Sequence, residues 1–305
     1  MELCRRIKNL SVPQGKIDAV IDTDAYNEID DQFAIAYLLK HGEKIRTRAI
    51  HAAPFLNARS ESPKDGMEKS FAEIRKLLEK LDMPEKTAIV FKGSEGYLPD
   101  EKTPVASPAA ENLVKLAREY SPESPLYVVA IGAITNVASA LLLSPEIAEN
   151  LVIVWLGGNA LDMPQPAWEF NMWQDIAAAR VVMGSGAPFV QLPCRGVVSA
   201  FTVSGPELEH WLLNKNKISD YLARNTITEA ESYAKGKVWT RVIWDVTAVA
   251  WLLNDGDRFL SSRLIPAFLP EYDKQYSIPG GEFMRYVYLV NRDALLQDLF
   301  STLLK

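Results

Sequence analysis

The amino-acid sequence predicts a single-domain α/β protein in which helices flank a mostly parallel open sheet. Segments typical of strands alternate with segments typical of helices, and the breaks between them are short, as in parallel sheets covered by helices. The strand segments are short, rich in Val and Ile and almost continuously apolar, which indicates strands buried on both faces. No internal repeat or low-complexity linker interrupts the alternation, so one domain is predicted over residues 1–305.

Six strands are predicted from their apolar character, and polar or Gly-containing breaks follow them. In chain order they are Ala19–Ile21, Thr47–Ala52, Ala88–Phe91, Tyr127–Ile131, Val152–Leu156 and Phe189–Gln191. Nine helices are predicted from apolar residues at helical spacing and from start signals such as a proline in the first turn. They are Asp31–Lys40, Gly66–Leu81, Ala106–Glu119, Thr135–Leu143, Gln174–Met183, Pro206–Asn214, Ile218–Lys235, Val246–Leu253 and Arg292–Leu304.

Composition and charge exclude several classes of function. The 305 residues are 48% hydrophobic and 24% charged, which is typical of a globular protein with a large core. The net charge of -6 gives no basic surface for nucleic acid, and no apolar run is long enough to span a bilayer. Only Cys4 and Cys194 are present, and the N-terminus lacks the apolar run of a signal peptide. We therefore predict a cytoplasmic protein without nucleic-acid or membrane partners.

Four aspartates lie in the loop between the first predicted strand and the helix that follows it. Asp22 and Asp24 alternate at the end of the apolar run, and the adjacent Asp30 and Asp31 open the helix. One or two aspartates need no ligand there, because Asp suits a helix N-terminus. Four carboxylates repel one another, and a counter-ion relieves that repulsion. The stretch therefore predicts a cation site, with Asp22 supporting the turn.

Other predicted strand ends also carry polar side chains, which matters because ligands of open parallel sheets bind at the carboxyl ends of the strands. These side chains are Asn57, Asn159, Glu169 and Asn171, and Asp245 precedes a late helix. Oxygen ligands without a Cys or His cluster favour a hard cation such as Ca²⁺ over zinc.

Neither an EF-hand nor a phosphatase of the haloacid dehalogenase type fits the aspartate loop. Counted from Asp22, an EF-hand would need Gly at the position of Asn27 and Glu at the position of Phe33. The phosphatase would need Thr or Val where Tyr26 stands. The chain also lacks a Gly-rich phosphate loop.

These motifs resemble those of the inosine-uridine preferring nucleoside hydrolase family. Its Asp-rich signature after the first strand is similar to Asp22-Thr23-Asp24 and Asp30-Asp31 here. The similarity continues, in the correct order, through Ile131-Gly132-Ala133-Ile134-Thr135-Asn136, Gly157-Gly158-Asn159, Glu169-Phe170-Asn171 and Trp244-Asp245. The resemblance implies a nucleoside hydrolase-like fold with a Rossmann-like core, a glycosidase of purine or pyrimidine salvage, and a homodimer or homotetramer.

Carried over residue by residue, the resemblance implies a calcium site beside a ribose site. The calcium ligands would be Asp24, Asp31, Asp245 and the backbone carbonyl of Ile131, with Asp24 also acting as the general base. The ribose hydroxyls would be held by Asp30, Asn57, Asn159, Glu169 and Asn171. Such a site suits cleavage of an N-glycosidic bond, because the sugar becomes oxocarbenium-like and a negative environment stabilises it.

Two departures from the family pattern concern the substrate. The loop between Asp24 and Asp30 is two residues longer than usual and lacks the family Gly, which makes Asn27 a further candidate for substrate binding. Trp244 stands where many members carry a His that protonates the leaving base. A Trp here resembles the purine-preferring branch, in which an aromatic ring stacks on the base, an interaction of roughly 1–3 kcal/mol.

The sequence thus predicts calcium-dependent hydrolysis of ribonucleosides to ribose and free base, with purine nucleosides slightly favoured. Two alternatives stay open. One is a non-catalytic protein that binds ribonucleosides or ribose on the same scaffold. The other is a hydrolase of a different ribosyl compound.

Overall fold

A central sheet of eight strands positions every segment discussed below. The computed structural model describes residues 3–280 and 282–305. The described residues form twelve strands, of which eight belong to the central sheet and the pairs β7–β8 and β10–β11 form two small sheets. They are β1 (Ile17–Thr23), β2 (Ile45–Ala52), β3 (Val90–Lys92), β4 (Leu126–Ala130), β5 (Leu151–Leu156), β6 (Phe189–Leu192), β7 (Thr202–Ser204), β8 (Thr240–Val242), β9 (Leu260–Pro266), β10 (Leu269–Pro270), β11 (Tyr276–Ser277) and β12 (Phe283–Val290).

Helices connect most of these strands. They are α1 (Leu3–Asn9), α2 (Asp30–Lys40), α3 (Pro63–Lys80), α4 (Pro108–Ala117), α5 (Thr135–Leu143), α6 (Phe170–Trp173), α7 (Ile176–Gly184), α8 (Gly205–Trp211), α9 (Lys217–Ala234), α10 (Val246–Leu252) and α11 (Arg292–Leu303). Short 3-10 helices occupy Pro84–Ile89, Pro145–Asn150, Val198–Ala200 and Asp255–Asp257.

The strand order of the large sheet is β3-β2-β1-β4-β5-β6-β12-β9. Strand β1 pairs in parallel with β2 on one side and with β4 on the other, so the order of the strands reverses at β1. All neighbours pair in parallel except β12 and β9, which pair antiparallel. In parallel sheets the point of reversal leaves a crevice outside the carboxyl ends of the strands. The aspartates after β1 lie at this crevice.

Two hydrophobic layers cover the sheet, one on each face. Successive residues of β1 point to opposite layers, with Ile21 packed beside α2, α10 and α11 and Val20 packed beside α4, α5 and α7. Strands β1, β4 and β5 are almost completely buried, which explains their continuous apolar sequences, since neither face of the strand meets water.

The predicted fold class is confirmed, and all six predicted strands and nine predicted helices have counterparts with boundaries shifted by a few residues. The prediction was incomplete at the far edge, where it missed β9 and β12. Strand β9 is an edge strand of half-exposed residues, so its sequence lacks the apolar run of a central strand. Ala88, predicted as strand, belongs to a 3-10 helix that ends just before β3. Among the described residues, no helix is both long and apolar enough to cross a membrane.

Trp155 links the sheet to the turn after β4. Its side chain is fully buried, and its indole Nε1 donates to the carbonyl of Gly132 at 3.0 Å. Trp251 in α10 is equally buried, but its Nε1 has no hydrogen-bond partner. The two residues therefore form a matched pair that differs in one buried hydrogen bond.

We expect Trp155→Phe to lower the free energy of unfolding by about 1–3 kcal/mol more than Trp251→Phe. Both changes remove similar volume, but only the first leaves a buried carbonyl without its donor. Urea denaturation of the two variants measures the difference. Equal losses of stability would show that the Trp155 hydrogen bond contributes nothing net.

Candidate active site

The first strand-to-helix connection places the carboxylates of Asp24, Asp30 and Asp31 at the crevice. Strand β1 ends at Thr23, Asp24 follows it directly, and α2 begins at Asp30. Asp24, Asp30 and Asp31 are all buried. The first turn of α2 suits Asp30 and Asp31, because the unpaired N–H groups of a helix start favour negative charge.

Asp245, at the start of α10, joins this group from the far end of the chain. One carboxylate oxygen each of Asp30, Asp31 and Asp245 lie within 4.8 Å of one another, and all three residues are buried. The backbone N–H of Asp245 donates to Asp30 Oδ2 at 3.4 Å. The hydroxyl of Thr23 donates to Asp31 Oδ1. A non-local pairing of two helix starts thus builds the carboxylate cluster.

Asp24 lines the same cavity, but the cluster of carboxylate oxygens within 4.8 Å contains Asp30, which was predicted to hold the sugar, and does not contain Asp24, which was predicted as a metal ligand. Both carboxylate oxygens of Asp24 are buried without a donor. Gly132, in the turn after β4, gives it room, since a Cβ at that position would lie 2.8 Å from Asp24 Oδ1. Asp22 is directed elsewhere, because its Oδ2 accepts a hydrogen bond of 2.8 Å from Asn136 Nδ2. This contact fits the structural role predicted for Asp22.

Burial and mutual repulsion raise the pKa of these carboxyl groups. The pKa of Asp31 rises to about 7, chiefly through desolvation. Desolvation and the charges of Asp31 and Asp30 hold the pKa of Asp24 well above its usual range. The pKa of Asp245 is raised by the same causes. Buried carboxylates that repel one another are stabilised by protons or by a cation. The partnerless oxygens of Asp24 and the all-oxygen donor set fit a hard cation such as Ca²⁺.

The backbone carbonyl of Ile131 adds a neutral oxygen to the same place. It accepts a hydrogen bond of 3.2 Å from Asn171 Nδ2, which also donates to the carbonyl of Leu156 at 3.0 Å. A carbonyl oxygen has two lone pairs, so the Ile131 carbonyl keeps one for a further contact. Asn171 thus fixes the exits of β4 and β5 relative to each other.

All these groups open into one cavity of about 420 Å³. Every predicted site residue except Asn57 lines it: Asp24, Asn27, Asp30, Asp31, Ile131, Asn159, Glu169, Asn171, Trp244 and Asp245. The size and the enclosed carboxylates suit a polar small molecule.

Asn57 lies behind Asn27 rather than on the cavity wall. Its Nδ2 donates to Asn27 Oδ1 at 2.6 Å, while its own Oδ1 accepts from the backbone N–H of Arg59. Asn27 is buried and lines the cavity. With its oxygen held by Asn57, the amide nitrogen of Asn27 is the group available to a ligand. Asn57, predicted to hold the sugar, therefore contacts the cavity-lining residue Asn27 and does not itself line the cavity.

Glu169 and Asn159 are held by the backbone around them. The two oxygens of Glu169 accept from the N–H groups of Gly158, Asn171 and Met172 at 2.9–3.2 Å. Burial raises the pKa of Glu169, and these donors oppose the rise. Asn159 accepts from the N–H of Arg195 and donates to the carbonyl of Trp168. Both side chains therefore have fixed positions on the cavity wall.

Aromatic residues form the outer part of the wall. Trp168 and Trp173 stack with ring centroids 5.2 Å apart and planes at 24°, and both are substantially exposed, at 45% and 39%. Phe170 meets Trp173 edge to face. The half-buried Trp244 lies beside Asp245 on the same cavity. The cavity therefore has a charged interior and an aromatic mouth.

Sequence reasoning missed several lining residues, namely Leu156, Trp168, Phe170, Trp173, Cys194 and Arg195. Trp168 and Phe170 flank Glu169 in the chain, so proximity to a predicted residue could have identified them. Cys194 and Arg195 follow β6, and the rule that ligands bind at strand exits would have indicated them.

Comparison with known proteins identifies the family. Residues 19–284 match the family model described as inosine-uridine preferring nucleoside hydrolase. The chain belongs to this family. The resemblance read from the sequence motifs is therefore confirmed, and it extends over most of the chain, including every cavity residue named above.

One group of curated relatives matches this chain over part of its length. The pyrimidine-specific ribonucleoside hydrolase RihA of Salmonella paratyphi A is 30% identical over 156 residues, which are 50% of this chain and 49% of that protein. The chain thus spans about half the length of the curated relatives it matches.

Two solved structures cover nearly the whole fold. The plant nucleoside hydrolase PpNRh1 is 19% identical with a TM-score of 0.74, over 94% of this chain and 98% of that one. An inosine-guanosine nucleoside hydrolase is 20% identical with the same TM-score of 0.74, over 94% and 99%. At these identities, the likeness concerns the fold.

We expect calcium to raise the melting temperature, and to raise it more at pH 8 than at pH 5.5. Because the folded carboxyl groups have raised pKa values, the metal-free protein loses stability as the pH rises from the ordinary aspartate pKa of about 4 to the folded pKa of Asp31 of about 7. The loss is complete above that pH, and protonation relieves it as the pH falls. Calcium binds the ionised form, so at pH 5.5 it must displace protons. At a concentration about 100 times its Kd, it should add about 2.7 kcal/mol.

Differential scanning calorimetry of dialysed protein, with and without calcium at each pH, measures this difference. Asp245→Asn should reduce the calcium shift, whereas Asp162→Asn, an exposed position outside the cavity, should leave it intact. An equal shift at both pH values would contradict the assignment.

Proposed function

We propose that this protein hydrolyses the N-glycosidic bond of ribonucleosides, releasing ribose and the free base. The observation that carries the proposal is the cavity lined by the partnerless carboxylate of Asp24 and by Asp30, Asp31 and Asp245. Calcium would be held by Asp24, Asp31, Asp245 and the carbonyl of Ile131, close to Asp30. Membership of the nucleoside hydrolase family supports both the reaction and the cofactor.

Asp24 is the general base in this proposal. Bound calcium would supply a Lewis acid that neutralises the cluster and makes water in the cavity more acidic. A carboxylate oxygen of Asp24 takes one proton of the attacking water, since neither oxygen is committed to another donor. The water oxygen then bonds to C1′ of the ribose, and the C1′–N bond breaks with its electron pair going to the base.

The remaining polar residues orient the sugar and stabilise its positive charge. Asp30 accepts hydrogen bonds from ribose hydroxyls, and Glu169 and Asn171 hold the rest of the ring from positions fixed by their backbone contacts. Asn27 donates to the ligand, and Asn57 orients it. Prearranged acceptors next to a developing oxocarbenium ion lower the barrier because they need not reorganise during the reaction.

Trp244 assists departure of the base by stacking, and purine nucleosides are favoured because they offer the larger ring. The aromatic mouth around Trp168 and Trp173 supports an aromatic leaving group. The predicted role in salvage, the cytoplasmic location and the homodimeric or homotetrameric assembly belong to the same proposal.

A second candidate is the hydrolysis of another ribosyl compound. The inserted loop favours it, because Asn27 and Glu28 line the cavity and change its shape relative to a shorter loop. A protein that binds ribonucleosides without turnover is the non-catalytic alternative, and the assay below separates all three.

We expect release of reducing sugar from at least one nucleoside in a purine and pyrimidine panel with calcium present. Asp24→Asn should lower kcat by about 10²–10⁴-fold, because it removes the general base. Asp162→Asn serves as the control. Calorimetric binding of nucleosides without any sugar release would identify the non-catalytic alternative, and release only from other ribosides would identify the second candidate.

We expect Trp244→Ala to reduce kcat/KM for inosine more than for uridine. Loss of stacking worth roughly 1–3 kcal/mol corresponds to about 5- to 150-fold for the purine. Trp244→Phe should keep part of the preference because it retains a ring. Trp211→Ala, which removes an exposed Trp outside the cavity, is the control. Equal losses for inosine and uridine would mean that Trp244 only supports the fold.

A further inference from the structure

Arg195 differs from the other arginines of the described residues in that its side chain has no partner. Every other arginine side chain in that part of the protein makes a hydrogen bond, an ion pair or a ring contact. Arg195 is exposed and lines the cavity. A cation left unpaired beside a cavity rich in carboxylates is not explained by the binding of a neutral nucleoside.

The position of Arg195 is fixed by its backbone. Its N–H donates to Asn159 Oδ1 at 3.1 Å, and its carbonyl accepts from the N–H of Ala160 at 2.9 Å. The preceding residue, Cys194, donates its N–H to the carbonyl of Gly158 at 2.8 Å. The side chain of Arg195 therefore begins at a defined point next to Asn159.

A second cation contacts an aromatic residue of the cavity wall. Lys274 Nζ is 3.9 Å from the ring centroid of Trp168, and the carbonyl of Trp168 accepts from Asn159 Nδ2 at 3.3 Å. Asn159 thus hydrogen-bonds both to the backbone of Arg195 and to the backbone of Trp168, whose ring contacts Lys274. The carboxylate of Glu169 accepts from three backbone N–H donors and forms no ion pair with either cation.

Arg195 and most of the carboxylate cluster follow different strands of the sheet. Asp24, Asp30 and Asp31 follow β1, whereas Arg195 follows β6, and strands β4 and β5 lie between them. In the proposed function, the carboxylates serve the diol and the anomeric carbon of a ribose. The only other carbon that extends from the ring is C5′. An anion carried on C5′ would meet the cations beside Asn159, and arginine is suited to phosphate because its planar donors match phosphate oxygens.

We propose that Arg195, assisted by Lys274, binds a phosphate group on C5′, so that the preferred substrates are N-ribosyl 5′-phosphates. This inference rests on the proposed function and narrows its substrate class. The reaction is the same cleavage of the C1′–N bond by water, and its sugar product is ribose 5-phosphate.

The kinetic test compares inosine with inosine 5′-monophosphate at fixed ionic strength. The ratio of their kcat/KM values should favour the phosphate in the unmodified protein, and Arg195→Ala should lower that ratio about 10- to 100-fold. Arg195→Lys should lower it less, because the charge remains. Arg75→Ala, which removes an exposed charge on α3 outside the cavity, should leave the ratio unchanged. A ratio that favours inosine, or one unaffected by Arg195→Ala, would overturn the proposal.

A binding test separates this inference from the proposed function. With calcium present, calorimetry should show that ribose 5-phosphate binds more tightly than ribose, by a margin that falls with salt and with Arg195→Ala. If that margin is found while no riboside is hydrolysed, the phosphate site stands and the hydrolase proposal fails. If inosine is hydrolysed while ribose 5-phosphate binds no better than ribose, the phosphate site fails alone.

Discussion

Mutual repulsion among buried carboxylates is the constraint on which the rest of the site depends. Asp24, Asp30, Asp31 and Asp245 converge where β1 reverses the strand order, and burial prevents water from screening their charges. Neighbouring groups offset part of this repulsion. The Thr23 hydroxyl donates to Asp31, the backbone N–H of Asp245 donates to Asp30, and the start of α2 favours negative charge. Protons or a cation must supply the remaining compensation.

The sequence predicted the part of the molecule that local signals encode. Strands buried on both faces are apolar throughout, so β1, β4 and β5 were readable without knowledge of their partners. Strands β9 and β12 were not, because β9 is half-exposed and their pairing is a non-local property. The prediction that several strand exits meet at one cavity holds because parallel strands end on the same edge of a sheet.

Two residues show where sequence reasoning stops. Asn57 was predicted to touch the sugar, but its side chain contacts Asn27 instead. Local sequence does not fix the path of the loop between β2 and α3. Arg195 lies just after β6, where the rule on strand exits applies, but it was missed because a lone cation after Leu192-Pro193-Cys194 forms no motif. What distinguishes Arg195 is its lack of a partner, and that is visible only when the partners of the other described arginines are known.

The turn after β4 restricts evolution unevenly at two neighbouring positions. Ile131 uses its main-chain oxygen to accept a hydrogen bond from Asn171 Nδ2, so selection on that contact ignores the identity of its side chain. Gly132 is different, because any Cβ would meet Asp24 Oδ1 at 2.8 Å. Substitutions among apolar residues are therefore tolerated at position 131. Position 132 must remain glycine as long as Asp24 is retained. In distant homologues, a glycine in this turn should accompany Asp24 as a linked pair, even where the loop between Asp24 and Asp30 has changed length.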